Sequence, residues 1–360
     1  MSVTQDQHHA HRGAPVIRQA ALPRRPAVEV STLSFGAAQA GNLYRVRTDE
    51  DVAAAIDAAW DAGIRYFDTA PHYGLGLSER RLGAALRSRP RDEYVVSTKV
   101  GRLLIPSPHT AHLRDPEGFD VPADLRRGWD FSRDGVRRSL DESLTRTGLD
   151  RIDIVYLHDP DDHAEQAMTE AIPALVELRE QGVIGAIGAG MNQSRLLAQF
   201  VEEADIDVVM CAGRFTLLEQ GALDDLLPAA RRHDVAVVVA GVYNSGLLAR
   251  ERPPTNASYN YQQAPAELLD RADRIARICA EYGTTLPAAA LAYAGSHPAI
   301  VSMTVGMGSA RQVHETVQRA SAAIPAALWP ALHQAGLISH LPLTPPPAAD
   351  GQRHRAHRYR

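Results

Sequence analysis

Cysteine and long apolar runs are both scarce in this sequence of 360 residues. The two cysteines, Cys211 in an apolar run and Cys279 in a helical pattern, favour a reducing compartment and argue against disulfides or a thiolate metal site. The longest strongly apolar run, residues 235–242, is far shorter than the roughly 20 residues that a membrane-spanning helix needs. The first residues contain no apolar signal segment either. We therefore expect a cytoplasmic protein with no membrane partner.

A large excess of charge is also missing. The formal net charge is −5 at pH 7, so nothing in the charge balance predicts binding to nucleic acid. Hydrophobic residues make up 45% of the chain and charged residues 22%, which is ordinary for a globular protein with a sizeable core. The oligomeric state is not readable from these features.

The two ends of the chain differ in composition from the middle. Residues 1–28 contain histidines, clustered arginines and prolines, and residues 343–360 contain prolines, histidines and arginines. We predict that both ends are disordered or loosely ordered tails. Residues 29–342 are then expected to form a single domain.

Eight apolar, strand-like segments alternate with amphipathic, helix-like segments in this domain. The amphipathic segments end in glycine or in polar turns, as helices do. Eight strands that are each followed by a helix are typical of a parallel (β/α)8 barrel, the TIM barrel. An open doubly wound sheet is the alternative, but no G-x-G-x-x-G motif follows the first strand. The predicted strands are residues 31–36, 64–69, 93–99, 152–158, 183–189, 207–213, 235–241 and 300–306.

Four polar residues lie at or just after successive strand ends. Asp68 ends the second predicted strand, Tyr73 follows it, Lys99 ends the third strand and His158 ends the fourth. Because the carboxyl ends of barrel strands meet at one rim, we expect these side chains to converge. Each residue alone has a purely structural explanation, such as a turn cap or a buried core histidine.

Together, these residue types suit proton transfer coupled to hydride transfer. A phenol has an ordinary pKa of about 10, so a nearby ammonium is needed to lower the pKa of Tyr73. Lys99 is the candidate ammonium, and Asp68 would hold its charge in a buried position. His158 would form a hydrogen bond with the reacting oxygen and fix its position.

The four residues and their surroundings resemble the aldo-keto reductase superfamily. The stretches that carry the resemblance are FDTAPHYG, STKVG, RTGLDRIDIVYLHDPD and LREQGVIGAIGAG. It implies that Asp68, Tyr73, Lys99 and His158 are the catalytic tetrad. Further stretches, among them GAGMNQ and GVYNSGLLA, look like the bacterial branch with L-fucose and D-threo-aldose 1-dehydrogenases and pyridoxal 4-dehydrogenase. That likeness implies oxidation of a hemiacetal carbon to a lactone with NAD or NADP.

The resemblance also implies where the cofactor binds. The loop and helix after the eighth strand would hold the adenine and ribose phosphate end, and the loop after the seventh would line the pyrophosphate. Gly306 and Gln312 stand where NADPH-preferring members often carry lysine and arginine, so NAD is slightly favoured. The implied cofactor-binding residues are Gly36, Asn192, Gly241, Tyr243, Asn244, Ser245, Gly246, Leu247, Gly306, Ser309, Arg311, Gln312 and Glu315.

The substrate is less well defined by the sequence. A sugar needs several hydrogen-bonding groups around a small apolar floor. The connection of residues 101–131 is unusually long, which is typical of lids and binding loops. Pyridoxal 4-dehydrogenase, a carbonyl reductase acting on another aldehyde or ketone, and a redox sensor without turnover are the alternatives. The candidate substrate residues are His72, Trp129, Arg214 and Tyr261, with His109 and Asn260 as further possibilities.

Overall fold

The structure, a computed structural model, describes residues 17–254, 257–259 and 262–342. Its strands fall into one closed barrel and three two-stranded hairpins. In chain order, the strands are β1 (Gln19–Leu22), β2 (Arg25–Ser31), β3 (Leu33–Gly36), β4 (Tyr66–Asp68), β5 (Val95–Val100), β6 (Arg102–Pro106), β7 (Leu125–Trp129), β8 (Ile154–His158), β9 (Ala186–Met191), β10 (Val208–Ala212), β11 (Ala236–Ala240), β12 (Ser258–Tyr259), β13 (Gln262–Gln263) and β14 (Ile300–Gly306).

The barrel consists of eight strands in the order β3, β4, β5, β8, β9, β10, β11 and β14, and each neighbouring pair is parallel. All eight predicted strands are present, with ends displaced by at most a few residues. The prediction of a (β/α)8 barrel is confirmed, and the open doubly wound sheet is wrong.

Helices surround the barrel and cover the outward faces of its strands. Phe35, Phe67 and Leu157 are completely buried in the apolar layer between strands and helices. No helix in the described part of the chain is long and apolar enough to span a membrane. The helices are α1 (Asp49–Asp61), α2 (Leu77–Leu86), α3 (Arg133–Thr147), α4 (Ala164–Gln166), α5 (Ile172–Glu180), α6 (Ser194–Glu203), α7 (Leu226–Arg232), α8 (Ala266–Glu281), α9 (Leu286–Ala294), α10 (Ala310–Ala320) and α11 (Leu328–Gln334), with a π-helical turn (Ala167–Ala171) between α4 and α5.

The β1–β2 hairpin closes the amino-terminal end of the barrel. Leu22 and Val30 are completely buried, and they pack with Tyr66 and Tyr156 in the barrel interior. Apolar side chains that alternate along β2 explain this packing, because every second residue of a strand points to the same face.

The amino-terminal tail is therefore shorter than predicted. Residues 17–28 do not form a loose tail, because residues 19–31 form this hairpin. Residues 1–16 and 343–360, for which tails are also predicted, lie outside the described residues.

The long connection after β5 contains the antiparallel hairpin β6–β7. Leu104, Phe119 and Val121 from this connection form an apolar cluster with Leu75, and the ring of Tyr73 packs against the cluster. The hairpin thereby reaches the loop that follows β4, where one of the predicted catalytic residues lies.

Candidate active site

The predicted catalytic residues meet at the carboxyl end of the barrel. The Lys99 ammonium donates hydrogen bonds to both carboxylate oxygens of Asp68, at 2.9 and 2.7 Å, and to the Thr69 carbonyl at 2.9 Å. Asp68 is 2% exposed and Lys99 is 3% exposed. These two residues therefore form a buried ion pair in which all three acceptors of the Lys99 ammonium are fixed.

Strand geometry explains why Lys99 points into the barrel. Ser97 and Lys99 are two residues apart on β5 and share a face, whereas Thr98 points outward. The Ser97 hydroxyl donates to Asp68 at 2.7 Å, and the Thr98 hydroxyl donates to the buried Glu79 of α2 at 2.8 Å. The inward pair thus supplies two of the donors that hold the Asp68 carboxylate.

Tyr73 lies beside this ion pair. The Lys99 nitrogen is 4.8 Å from the centre of the Tyr73 ring. The ring centres of Tyr73 and His158 are 5.9 Å apart, and the two planes are nearly perpendicular. The structure thus brings together all four predicted catalytic side chains.

Close packing of two loops sets the position of Tyr73. Gly74 has a φ of +62°, and a Cβ atom at this position would overlap the carbonyl oxygen of Gly41 in the loop after β3. A Cβ atom on Gly41 would in turn lie 2.6 Å from the Tyr73 carbonyl. Two glycines are therefore needed for the backbones to approach each other next to Tyr73.

The pKa values of Tyr73 and Lys99 are both raised in the folded protein. Burial raises the pKa of the Tyr73 phenol, and the neighbouring Lys99 charge opposes this rise without reversing it. Burial alone would lower the pKa of Lys99, but Asp68 and Tyr73 together raise it. Lys99 thus lowers the pKa of Tyr73 as predicted, but the prediction of a net lowering is wrong, because desolvation of the phenolate outweighs the attraction.

His158 is held in its neutral form. Burial lowers the pKa of His158 well below its ordinary value, and the charges of Arg102 and Lys99 lower it further. Its Nδ1 atom is buried and has no hydrogen-bond partner among the described residues. A buried ring nitrogen without a partner is unusual in a folded protein, which marks His158 as a candidate functional residue.

His72 lies beside Tyr73 and His158, and it contacts two arginines. Arg127 Nε lies 2.6 Å from His72 Nδ1, and Arg102 Nη1 lies 3.3 Å from the same atom. Arg127 also pairs with Asp115 at 2.5 and 2.8 Å, and Arg102 pairs with Asp159. The sequence interpretation includes His72 but misses these arginines; the only signal for them is the unusual length of their connection.

An elongated cleft of about 1030 Å³ extends from Asp68 and Tyr73 towards α10. Gln39 lines the cleft, and its side-chain oxygen is buried without a partner in the described part of the protein. Gly306 and Gly308 lie against the same glutamine side chain. An unpaired polar atom in a cleft with bare backbone fits a polar, extended ligand such as a dinucleotide.

Most of the predicted cofactor residues line this cleft. Leu247 is an exception, because it is completely buried in the apolar core. Ser309 is another, since it caps the amino terminus of α10 by accepting a hydrogen bond from the Gln312 amide at 3.3 Å. The predicted residues at the cleft are Gly36, Asn192, Gly241, Tyr243, Asn244, Ser245, Gly246, Gly306, Arg311, Gln312 and Glu315.

Several polar groups at the cleft already have partners within the protein. The Asn244 side-chain oxygen accepts a hydrogen bond from Thr216 at 2.6 Å, and the Gln312 oxygen accepts one from the Gly308 amide at 2.8 Å. Arg311 pairs with Glu315 on the exposed side of α10 at 2.5 Å. These contacts reduce the number of free donors and cations at the α10 end of the cleft.

The other predicted substrate residues are more scattered. Trp129 is 48% exposed and stacks under Arg102, whose guanidinium carbon lies 4.4 Å from the ring centre. Arg214 donates to the Gly213 carbonyl at 3.2 Å and contacts the Tyr259 hydroxyl at 3.4 Å. His109 is exposed, and the structure does not bring it to the tetrad. Tyr261 and Asn260 lie outside the described residues.

The described residues contain no group of three or more histidine, cysteine or acidic side chains placed to hold an ion.

Comparison with known proteins gives the family. The sequence profile of the aldo/keto reductase family matches residues 32–336. This chain belongs to the aldo/keto reductase family. It is an oxidoreductase whose relatives use NAD or NADP.

The relatives include several dehydrogenases. The chain is 49% identical to a D-threo-aldose 1-dehydrogenase of a Pseudomonas species, over 86% of this chain and 95% of that one. It is 38% identical to pyridoxal 4-dehydrogenase of Microbacterium luteolum, over 88% of this chain and 96% of that one. Among solved structures, the holo form of aldo-keto reductase AKR11C1 from Bacillus halodurans aligns with a TM-score of 0.69 and 26% identity, covering 94% of this chain and 100% of that one.

Proposed function

We propose that this protein oxidises the C1 hemiacetal of an aldose to a lactone, with NAD or NADP as hydride acceptor. The observation that carries the proposal is the buried Lys99–Asp68 pair beside Tyr73, next to a cleft of about 1030 Å³ that reaches α10. The 49% identity to a D-threo-aldose 1-dehydrogenase over most of both chains supports an aldose as the substrate.

Each member of the tetrad has a distinct role in this reaction. Tyr73 accepts the proton of the anomeric hydroxyl, and Lys99 stabilises the phenolate that accepts it. Asp68 keeps Lys99 charged and oriented, and neutral His158 holds the reacting oxygen. When bound, the nicotinamide cofactor supplies the hydride acceptor. The protein itself positions the substrate and supplies the charge of Lys99, and the tetrad side chains suit this role because they are held in place.

We further propose a slight preference for NAD over NADP. Gly306 offers no side-chain cation, Gln312 is engaged with a backbone amide, and Arg311 is shared with Glu315. A 2′-phosphate would therefore find little unshared positive charge on α10. Arg47 is the main opposing feature, because it is 8% exposed, lies against Gly308 and has no ion pair in the described parts of the chain. An Arg47→Met variant would show whether it attracts the phosphate.

Pyridoxal oxidation is the second candidate. A planar aromatic substrate asks for a stacking face, and the candidate is Trp129, which is 48% exposed although Arg102 lies over its ring. The 38% identity to pyridoxal 4-dehydrogenase supports this candidate. A carbonyl reductase acting on another aldehyde or ketone uses the same tetrad in the opposite direction, and a sensor would bind the cofactor without turnover.

The test is a substrate and cofactor panel. Purified protein is incubated separately with NAD and NADP against aldoses, including L-fucose and D-threo-aldoses, and against pyridoxal, while the absorbance of the reduced cofactor is followed. Steady production of reduced cofactor with an aldose supports the proposal, and preference for pyridoxal selects the second candidate. Cofactor binding without turnover in either direction would reject the proposal in favour of the sensor.

A cytoplasmic location remains part of the proposal. Cys211 and Cys279 are both buried and free, which suits a reducing compartment. Fractionation of cells that express the tagged full chain tests this point, and recovery outside the cytoplasm would contradict it.

A further inference from the structure

Two guanidinium groups converge on one ring nitrogen of His72. Arg127 Nε is 2.6 Å from His72 Nδ1, and Arg102 Nη1 is 3.3 Å from it. Arg127 Nη2 also donates to the backbone carbonyl of His72 at 2.8 Å. The same guanidinium therefore holds both the ring and the backbone of this residue, which immediately precedes Tyr73.

The chemistry of arginine determines the tautomer of His72. A guanidinium has only N–H donors and is not deprotonated in proteins. His72 Nδ1 must therefore present its lone pair to Arg127, and the proton of the neutral ring must be on Nε2. A second proton on Nδ1 would break both contacts and place a third cation beside the two arginines.

Buried acidic partners hold this arrangement in place. The Asp115 side chain is 1% exposed and receives two hydrogen bonds from Arg127, so the guanidinium cannot turn away without leaving a buried carboxylate unpaired. Arg102 is paired with Asp159. His72 thus faces cations that are themselves anchored.

The other groups around His72 also favour its neutral form. Its ring centre is 5.4 Å from that of His158, 5.9 Å from that of Tyr73 and 5.2 Å from that of Phe119. Burial, followed by the charges of Arg102, Arg127 and Lys99, lowers the pKa of His72 to about 2. The lowered pKa of His72 and the lone pair that Nδ1 presents to Arg127 both favour the neutral ring.

We propose that Arg127 is a positioning residue that fixes His72 as a neutral Nε2–H donor, and that this donor selects substrates with an acceptor oxygen on the carbon bonded to the reacting carbon. In an aldose this oxygen is the hydroxyl at C2. The inference rests on the proposed function, because it assigns a specificity determinant to the same site. A site built to donate to a substrate hydroxyl rejects analogues that lack it.

The first experiment tests the tautomer and needs no turnover. Histidine side chains of the full chain are labelled with 15N, and the His72 signals are identified by their loss in His72→Gln. We expect signals of a neutral ring protonated on Nε2 that do not change between pH 5 and 8. In Arg127→Met, we expect the ring to lose this fixed tautomer and to titrate at a higher pH. A wild-type His72 that titrates near pH 6.5, or that is protonated on Nδ1, would overturn the proposal.

The second experiment tests specificity with an aldose and its 2-deoxy analogue. In His72→Phe, we expect kcat/KM for the aldose to fall about tenfold, the usual net effect of one hydrogen bond, while the value for the 2-deoxy sugar changes less than about twofold. His72→Gln, which keeps an amide donor, should restore part of the discrimination. Equal losses for both sugars in His72→Phe would refute the specificity role.

A third comparison separates positioning from folding. Arg127→Met leaves Asp115 buried and unpaired, so Arg127→Met/Asp115→Asn is the matched variant in which both charges are removed. We expect the double variant to fold and to show a KM for the aldose that rises as the pH falls, while kcat changes little. A pH-independent KM in the folded double variant would contradict the role of Arg127. If no aldose is turned over, the proposed function fails but the NMR result still decides the tautomer.

Discussion

The Lys99 ammonium lies 2.7 Å from the Asp68 carboxylate, in a position where neither side chain has more than 3% of its surface in contact with solvent. Ser97 and the Thr69 carbonyl provide the remaining hydrogen bonds. An ion pair in such surroundings is sensitive to the loss of either partner, because the remaining charge has no solvent to compensate it.

Asp68→Asn is therefore expected to reduce the free energy of unfolding by about 3–5 kcal/mol, the usual effect of leaving one buried charge unpaired. Asp68→Asn/Lys99→Met removes both charges and should recover part of this loss. Urea unfolding of the three proteins, followed by circular dichroism, measures the effect. A double variant that is less stable than Asp68→Asn would argue against a simple charge-pair explanation.

Tyr73→Phe is expected to lower kcat by a factor of at least about 10², because it removes the group that exchanges the proton. The change deletes one oxygen, so cofactor binding should remain within about threefold of the wild-type value. Turnover is followed through the absorbance of the reduced cofactor, and binding through quenching of intrinsic fluorescence. Retention of most of the turnover would exclude Tyr73 as the proton acceptor.

The rate of oxidation is expected to rise with pH above neutrality. Burial raises the pKa of Tyr73, so the phenol is protonated at pH 7 and the phenolate that accepts the proton becomes more populated as the pH increases. In Lys99→Met the opposing positive charge is lost, and the rise should move to still higher pH. Profiles of kcat between pH 6 and 10 for both proteins test this, and a flat wild-type profile speaks against phenolate control.

Gly74→Ala is expected to displace Tyr73 and to lower kcat more than tenfold, because the added methyl group would overlap the Gly41 carbonyl oxygen. Gly148→Ala is a close control. Gly148 follows α3 with a φ of +64°, nearly the same as the +62° of Gly74, but apart from its chain neighbours no atom of the described residues lies within 4 Å of its Cβ position. Both variants place an alanine at a positive φ and share that backbone strain, but only Gly74→Ala also brings a methyl group against Gly41. Equal kcat values for the two variants would show that the contact with Gly41 has no part in catalysis.

The stability of the protein is expected to fall as the pH decreases below about 6.5. His72 and His158 have lowered pKa values in the folded protein, whereas an unfolded histidine has a pKa of about 6.5. Between these values the unfolded state binds more protons, so each histidine contributes a slope of about 1.4 kcal/mol per pH unit. The contribution is complete above pH 6.5 and decreases towards acid.

Urea unfolding at several pH values between 5 and 7.5 measures this slope. His72→Gln should reduce it, whereas the same substitution at the exposed His109 should leave it unchanged. A slope that does not respond to the loss of His72 would mean that other groups cause the acid sensitivity.

The ends of the barrel strands were predictable from the sequence, because apolar strand segments alternate regularly with amphipathic helical segments. Asp68, Lys99 and His158 each follow an apolar run, and parallel strands place such positions on one rim. The net pKa of Tyr73 was not predictable, because it depends on how far burial outweighs a single favourable charge. The sequence indicates neighbours along a strand, whereas desolvation depends on the whole surrounding structure.

The support of His72 could not be predicted, for a different reason. Arg127 and His72 are separated by 55 residues, and they meet because the β6–β7 hairpin folds back over the loop after β4. Leu247 shows the opposite error, since its motif points to the cleft but its apolar side chain is buried in the core. A short sequence motif predicts where the backbone runs more accurately than it predicts where a single side chain points.

The β1–β2 hairpin packs Leu22 and Val30 against Tyr66 and Tyr156 at the lower end of the barrel, whereas the cleft beside Tyr73 lies at the carboxyl end of the strands. A substrate and a dinucleotide that meet at Tyr73 would both use this cleft. Whichever of them binds deeper has to arrive first and depart last. Steady-state kinetics with product inhibition should accordingly follow a compulsory order of binding and release.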